Sequence, residues 1–195
     1  MKQKDPIPAD ERWKAKSIRE FPGSPVERIG SGWMLITAAA GPAPGEASGG
    51  WNTMTASWGG FGVLWGRDTA FWFIRPSRHT YGFANRADLF TLSFFDESRR
   101  KALSFCGEKS GRDYDKAAET GLTPIVFGPL KGARDLSAEG AVSFLEAREI
   151  VVCRKLYTHD FDPAGFLDRE SIEKSYNGKD YHRMFIGEVV TLLTR

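Results

Sequence analysis

Two arginines, two hydroxyls and a histidine sit together in Arg75-Pro76-Ser77-Arg78-His79-Thr80, directly after the aromatic, β-branched run Phe71-Trp72-Phe73-Ile74. Guanidinium forks and hydroxyls are the side chains that hold phosphates and carboxylates through charge-assisted hydrogen bonds. The apolar run has strand composition, and the residues after it, through Arg86, suit a short helix with Ser77 as N-cap. A helix start offers unpaired N–H groups and a positive dipole end, both favourable to an anion. Arg78 and His79 in that first turn are disfavoured by about a few tenths of a kcal/mol unless a negative group lies between them. The stretch therefore asks for an anionic partner.

Three further groups bear on chemistry. Asn52-Thr53-Met54-Thr55-Ala56-Ser57-Trp58-Gly59-Gly60 combines small hydroxylic residues with one indole and two glycines. Small side chains expose backbone N–H groups, so this edge can lie against a planar heterocycle while Trp58 stacks; it is equally compatible with a Thr-rich barrel strand and a glycine turn. Ser110-Gly111-Arg112-Asp113-Tyr114-Asp115-Lys116 places Asp113 as cap of a following helix and Lys116 in its first turn, a second cation at a helix start. Asp180-Tyr181-His182-Arg183 opens an otherwise apolar strand, where most histidines are structural.

The elements that must position these groups are short and mostly strands. A polar, proline-punctuated arm occupies residues 1–30, with a helix expected around Glu11 to Arg19. Strands are expected at Trp33–Ala38, Thr53–Trp58, Gly62–Trp65, Thr69–Ile74, Leu89–Phe94, Pro124–Phe127, Phe144–Tyr157 and Tyr181–Leu193. Helices are expected from Arg78, at Glu97–Phe105, at Asp113–Thr120 ending on Gly121, and at Arg169–Tyr176 inside an acidic insertion over residues 159–177. Residues 41–50 read as a flexible small-residue loop. The density of short strands predicts a single mainly β domain over 1–195, barrel-like, with short helices.

Composition narrows the partners. The chain has 195 residues, 41% hydrophobic and 27% charged, with a net charge of +2, so neither a nucleic-acid surface nor a polybasic membrane anchor is expected. The start lacks an apolar core, which predicts no signal peptide, no membrane segment and a cytoplasmic setting. Cys106 and Cys153 lie far apart without a C-x-x-C and suggest buried free thiols. His79, His159 and His182 show no metal-ligand spacing, so no metal is expected. There is no G-x-S-x-G, and Gly59-Gly60-Phe61-Gly62 fits no phosphate-loop pattern. An aromatic share of 13%, with 14 Phe and 6 Trp, leaves surface for a flat ligand or a second subunit.

Taken in order, the four groups resemble the flavin reductase-like family of FMN-binding split-barrel proteins, including its flavoredoxin branch, from Trp33 to Val190. The resemblance implies an α+β, mainly β split barrel of Greek-key type. It implies that Asn52, Thr53, Met54, Thr55, Ala56, Ser57 and Trp58 line the isoalloxazine, and that Arg75, Ser77, Arg78 and Thr80 hold the phosphate and ribityl chain. Ser110, Gly111 and Lys116 complete the cofactor site, with Lys116 approaching the ring. Lys116 and His182 are the implied catalytic residues, His182 on the nicotinamide side, although Tyr181 separates it from Asp180 where the family pattern has Asp-His. The implied cofactor is FMN with NADH or NADPH as co-substrate, and the implied assembly is a homodimer. Three functions stay open: an NAD(P)H-dependent FMN reductase serving, for instance, a partner oxygenase; a flavoredoxin-like electron carrier working with an electron-transfer protein; and a non-enzymatic flavin- or haem-binding module.

Overall fold

The computed structural model describes residues 6–41, 43–44 and 50–195, so most of the loop expected over 41–50 lies outside the described residues. In chain order the elements are β1 (Ile7–Pro8), β2 (Lys14–Lys16), α1 (Pro25–Gly30), β3 (Met34–Ala40), β4 (Gly50–Ala56), β5 (Gly59–Leu64), β6 (Arg67–Ile74), α2 (His79–Arg86), β7 (Leu89–Phe94), α3 (Arg100–Glu108), α4 (Lys116–Thr120), β8 (Pro124–Val126), β9 (Val142–Phe144), β10 (Glu149–Asp160), α5 (Arg169–Tyr176) and β11 (Arg183–Thr194). The main sheet runs β4-β3-β7-β10-β11-β6-β5, all neighbours antiparallel, with β2 added beside β11. Its outer strands β4 and β5 do not pair with each other, so the sheet is open, as in a split barrel. β1, β8 and β9 form a small second sheet.

The near-continuous apolar runs of β3, β10 and β11 are explained by burial on both faces. Leu35, Ile150, Val152, Val190 and Leu193 enter one core, while Met34, Ile36, Val151, Cys153, Val189 and Leu192 enter the other. Successive strand side chains point to opposite faces, so each long strand feeds both cores. Trp72 of β6 is fully buried in the second, stacked on Phe185 at 6.2 Å and against Phe90 at 4.9 Å. A Cβ on Gly187 would come within 2.8 Å of that indole, so only glycine lets β11 pass there. Both cysteines are buried free thiols.

Several boundaries differ from the sequence reading, each for a local reason. No helix forms over 11–19: Lys14–Lys16 pairs with Leu192–Thr194 instead, and a Ser17/Glu20 capping box starts a single 3₁₀ turn at Ile18–Glu20. The strand expected over 144–157 is two strands, because the chain turns at Leu145–Ala147, where the Thr123 N–H donates to Glu146 and the Leu145 N–H to the Thr123 carbonyl. The helix expected at Glu97–Phe105 is a 3₁₀ turn followed by α3, which runs through Gly107 to Glu108. The cap of α4 is Asp115 and not Asp113: its Oδ1 accepts from Ala117 and Ala118 N–H at 3.1 Å each. Gly121 then ends α4 in the left-handed conformation, φ 67°. The insertion helix spans 169–176 as expected.

Candidate functional site

β4 is hydrogen-bonded within the sheet to β3 alone and packs against α3 and α2, and Lys116 of α4 reaches into the seam. Lys116, the first residue of α4, is 3% exposed and fills that seam. Its ammonium donates to the Thr53 carbonyl at 2.8 Å and the Cys106 carbonyl at 2.7 Å. Burial, with a smaller push from Arg78 that is countered by Cys106, brings the ammonium down to about 8. Thr53 turns its hydroxyl into the sheet, to the Ile36 carbonyl and Thr37, while the Thr55 hydroxyl donates to the Leu103 carbonyl. The polar side chains of β4 therefore fasten the strand, and Ala56, Ser57 and the half-exposed Trp58 carry on from it into the open.

At the β6–α2 turn the N-cap is Arg78, with extended backbone and no side-chain cap bond, while Ser77 beside it is held by Asp180. Asp180 accepts from the Ser77 N–H at 3.0 Å and from its hydroxyl at 2.6 Å, and the same carboxylate lies 4.0 Å from Arg75. Arg75 also donates to the Ser175 carbonyl at 2.8 Å and lies 4.9 Å over the Tyr176 ring. Arg78 reaches the Gly107 carbonyl at 2.6 Å, near the C-terminus of α3, where a cation complements the helix dipole. The anionic partner that this stretch demanded is thus supplied in part by the chain itself. Thr80 is buried and accepts from the Asn52 amide at 2.8 Å, tying α2 to β4. Asn52 Oδ1 is buried without a partner, and a Cβ on Gly111 would land on it, so the Ser110–Arg112 turn sits against β4 only through glycine.

These elements meet along one cleft. One end, about 140 Å³, is lined by Met54–Trp58, Phe73, Arg75, Arg78 and His182. The other, about 170 Å³, shares Met54 and Arg78 and adds Lys109, Arg112 and Lys116, with Glu108 as its one carboxylate, beside His79, Ser110 and Gly111. A cation-rich end thus adjoins an end with an indole, a phenyl ring and a free run of backbone. His182 is 7% exposed, tilted against Trp58 at 4.9 Å, with Nδ1 2.8 Å from the Tyr176 hydroxyl. Burial first, then Arg75 and Arg78, hold its imidazole down at about 4 against the opposing pull of Asp180, so it is neutral at pH 7.

Of the residues expected at the site, Met54 to Trp58, Arg75, Ser77, Arg78, Thr80, Ser110, Gly111, Lys116 and His182 line this cleft, whereas Asn52 and Thr53 act within the packing behind it. The sequence reading passed over Asp180, Tyr176, Phe73, Lys109 and Arg112 as site residues. Asp180 meets Ser77 across 103 positions, and no local pattern signals that pairing. Among the described residues no cluster of His, Cys, Asp and Glu is placed to hold a metal, and no helix is long and apolar enough to cross a membrane.

Comparison with known proteins places the molecule. A family model described as "Flavin reductase like domain" matches residues 26–195. Among solved structures, an FMN-binding domain of a flavin reductases-like enzyme from Shewanella baltica superposes with a TM-score of 0.58 at 14% identity, covering 95% of this chain and 78% of that one. The flavoredoxin of Desulfovibrio vulgaris (Miyazaki F) gives 0.56 at 18% identity, over 84% and 69% of the two chains. An NADH:FAD oxidoreductase from Streptomyces globisporus gives 0.53 at 14%, over 84% and 76%. At these identities the likeness is one of fold. A search of curated proteins found no match.

Proposed function

Because the chain belongs to the flavin reductase-like domain family, we propose that it is a flavin-binding oxidoreductase of NAD(P)H:FMN reductase type, holding FMN along the cleft between β4 and the β6–α2 turn. The observation that carries this reading is the polarity of that cleft: Arg78, His79, Lys109, Arg112 and Lys116 at one end, backbone edge and Trp58 with Phe73 at the other. An anionic tail and a flat, hydrogen-bonding ring are the two halves of FMN. The unpartnered Asn52 Oδ1, a buried acceptor without a donor behind this end of the cleft, suits a hydroxyl-bearing ligand chain.

In this reading Arg78 is the main phosphate ligand, since one of its N–H groups is spent on Gly107 and its remaining donors border the cleft. Ser77 and Thr80, engaged by Asp180 and Asn52, shape the turn that aims it. Backbone N–H groups from Met54 to Ser57 would hydrogen-bond the ring edge. Lys116, fixed by two carbonyls at the cation-rich end near Met54, where the two ends meet, would supply positive charge to the near side of the ring without having to reorganise. When bound, FMN supplies the acceptor for a hydride from the nicotinamide. Trp58 and His182 form the open wall against which the nicotinamide would lie.

The test is anaerobic. Purified protein loaded with FMN should bleach on addition of NADH or NADPH. Bleaching only by a reduced protein donor would favour the flavoredoxin-like carrier, and a protein that ignores FMN would overturn both.

A further inference from the structure

The segment between β10 and β11 was read as an insertion without a role. It ends at Tyr176, the last residue of α5, and the chain then doubles back to His182 through Asn177 and Asp180, both left-handed at φ 48° and 57°. Asn and Asp tolerate that conformation better than other side-chain-bearing residues. The reversal brings the Tyr176 hydroxyl to 2.8 Å from His182 Nδ1. Both partners are locked. Arg75 lies over the Tyr176 ring, Tyr181 packs 4.9 Å and Phe166 5.9 Å from it, and Asp180 is clamped to Ser77. His182 is held by Trp58 and Phe73 at 4.9 and 6.4 Å, and its carbonyl accepts the Phe161 N–H at 2.9 Å. Its Nε2 has no partner in the described structure.

We propose that Tyr176 is a positioning residue that fixes His182 in the tautomer carrying its proton on Nε2, making the imidazole a hydrogen-bond donor into the cleft beside Trp58 for a neutral carbonyl oxygen of the second ligand. A neutral imidazole carries one N–H, and its position is set by the bond the other nitrogen makes. In the proposed arrangement the phenol, which burial keeps protonated, is the donor across the 2.8 Å contact and Nδ1 the acceptor, which leaves the proton on Nε2. Arg75 and Arg78 next to the ring oppose a second proton, while Asp180 alone favours one. The site is thereby built for a carboxamide or ketone oxygen.

This proposal rests on the reading of the cleft as a two-ligand site, but the readout that decides it uses no flavin. Protein labelled with ¹⁵N in its histidines, with His182 assigned from the spectrum lost in H182N, reports the protonation of each ring nitrogen through long-range ¹H–¹⁵N couplings. At pH 7 the expected result is Nδ1 unprotonated and Nε2 protonated in the wild type, and a mixture of tautomers in Tyr176→Phe. FMN affinity of Tyr176→Phe, measured separately, should stay within about threefold while KM for the nicotinamide rises several-fold. A wild-type proton on Nδ1, which needs no variant to observe, overturns the proposal, as does an unchanged single tautomer in Tyr176→Phe.

Discussion

Lys116 is the residue on which site and fold depend together. It donates to two main-chain carbonyls in a buried seam, so Lys116→Met should cost about 2–3 kcal/mol in chemical denaturation by removing that donor. Its titration gives a second signature. The folded ammonium titrates near 8 and an unfolded lysine near 10.4, so between these values the unfolded chain binds more protons. Stability from this group therefore rises as pH climbs from about 8 to about 10.4, by at most about 3 kcal/mol. Denaturant midpoints across that window should show the rise in the wild type relative to Lys116→Met, and parallel profiles would show the ammonium to be unperturbed. At this scale the sequence revealed residue types but not partners: the cations at 75, 78 and 116 were visible, while Asp180, Tyr176 and the Gly107 carbonyl meet them only in three dimensions.

Among elements, the contact between the Ser110–Arg112 turn and β4 is the narrowest. Gly111→Ala should push the turn off Asn52, destabilising the protein by about 1–3 kcal/mol and weakening FMN. Asn52→Ala removes the obstructing oxygen, so the double variant should recover part of the loss, a coupling of about 0.5 kcal/mol or more in a double-mutant cycle. Strict additivity would show that the two do not touch. Helix α5 was legible because its apolar residues and charges alternate at helical spacing. The break between β9 and β10 was not, since Phe144 and Ile150 are both fully buried and the alternation Leu145-Glu146-Ala147-Arg148 between them fits a half-buried strand as well as a turn. Ser77 was misread as a cap for a related reason: its local pattern is right, but a distant carboxylate holds its N–H and hydroxyl, and the helix starts one residue later from Arg78.

For the whole molecule, an open sheet leaves β5 as an unpaired edge, and Val63, Trp65 and, on the neighbouring β6, Phe71 stand exposed beside it. We propose that a second copy covers this side. Light scattering should then give twice 21.7 kDa at micromolar concentration, and Trp65→Arg should lower it towards the single chain. A wild-type monomer would exclude that assembly. Fold class was readable because many short strands with two-sided apolar burial admit few architectures, whereas the cleft had to be assembled from β4, α2, α4 and β11, whose proximity no single stretch encodes. That the cleft is a phosphate-and-ring site is the claim on which the rest depends. It is tested by titrating wild type and Arg78→Ala with FMN and with riboflavin. The expected result is a loss of about tenfold or more for FMN, the worth of one charge-assisted bond, with riboflavin changed less than about twofold; equal loss for both ligands, or no FMN binding by the wild type, would contradict it.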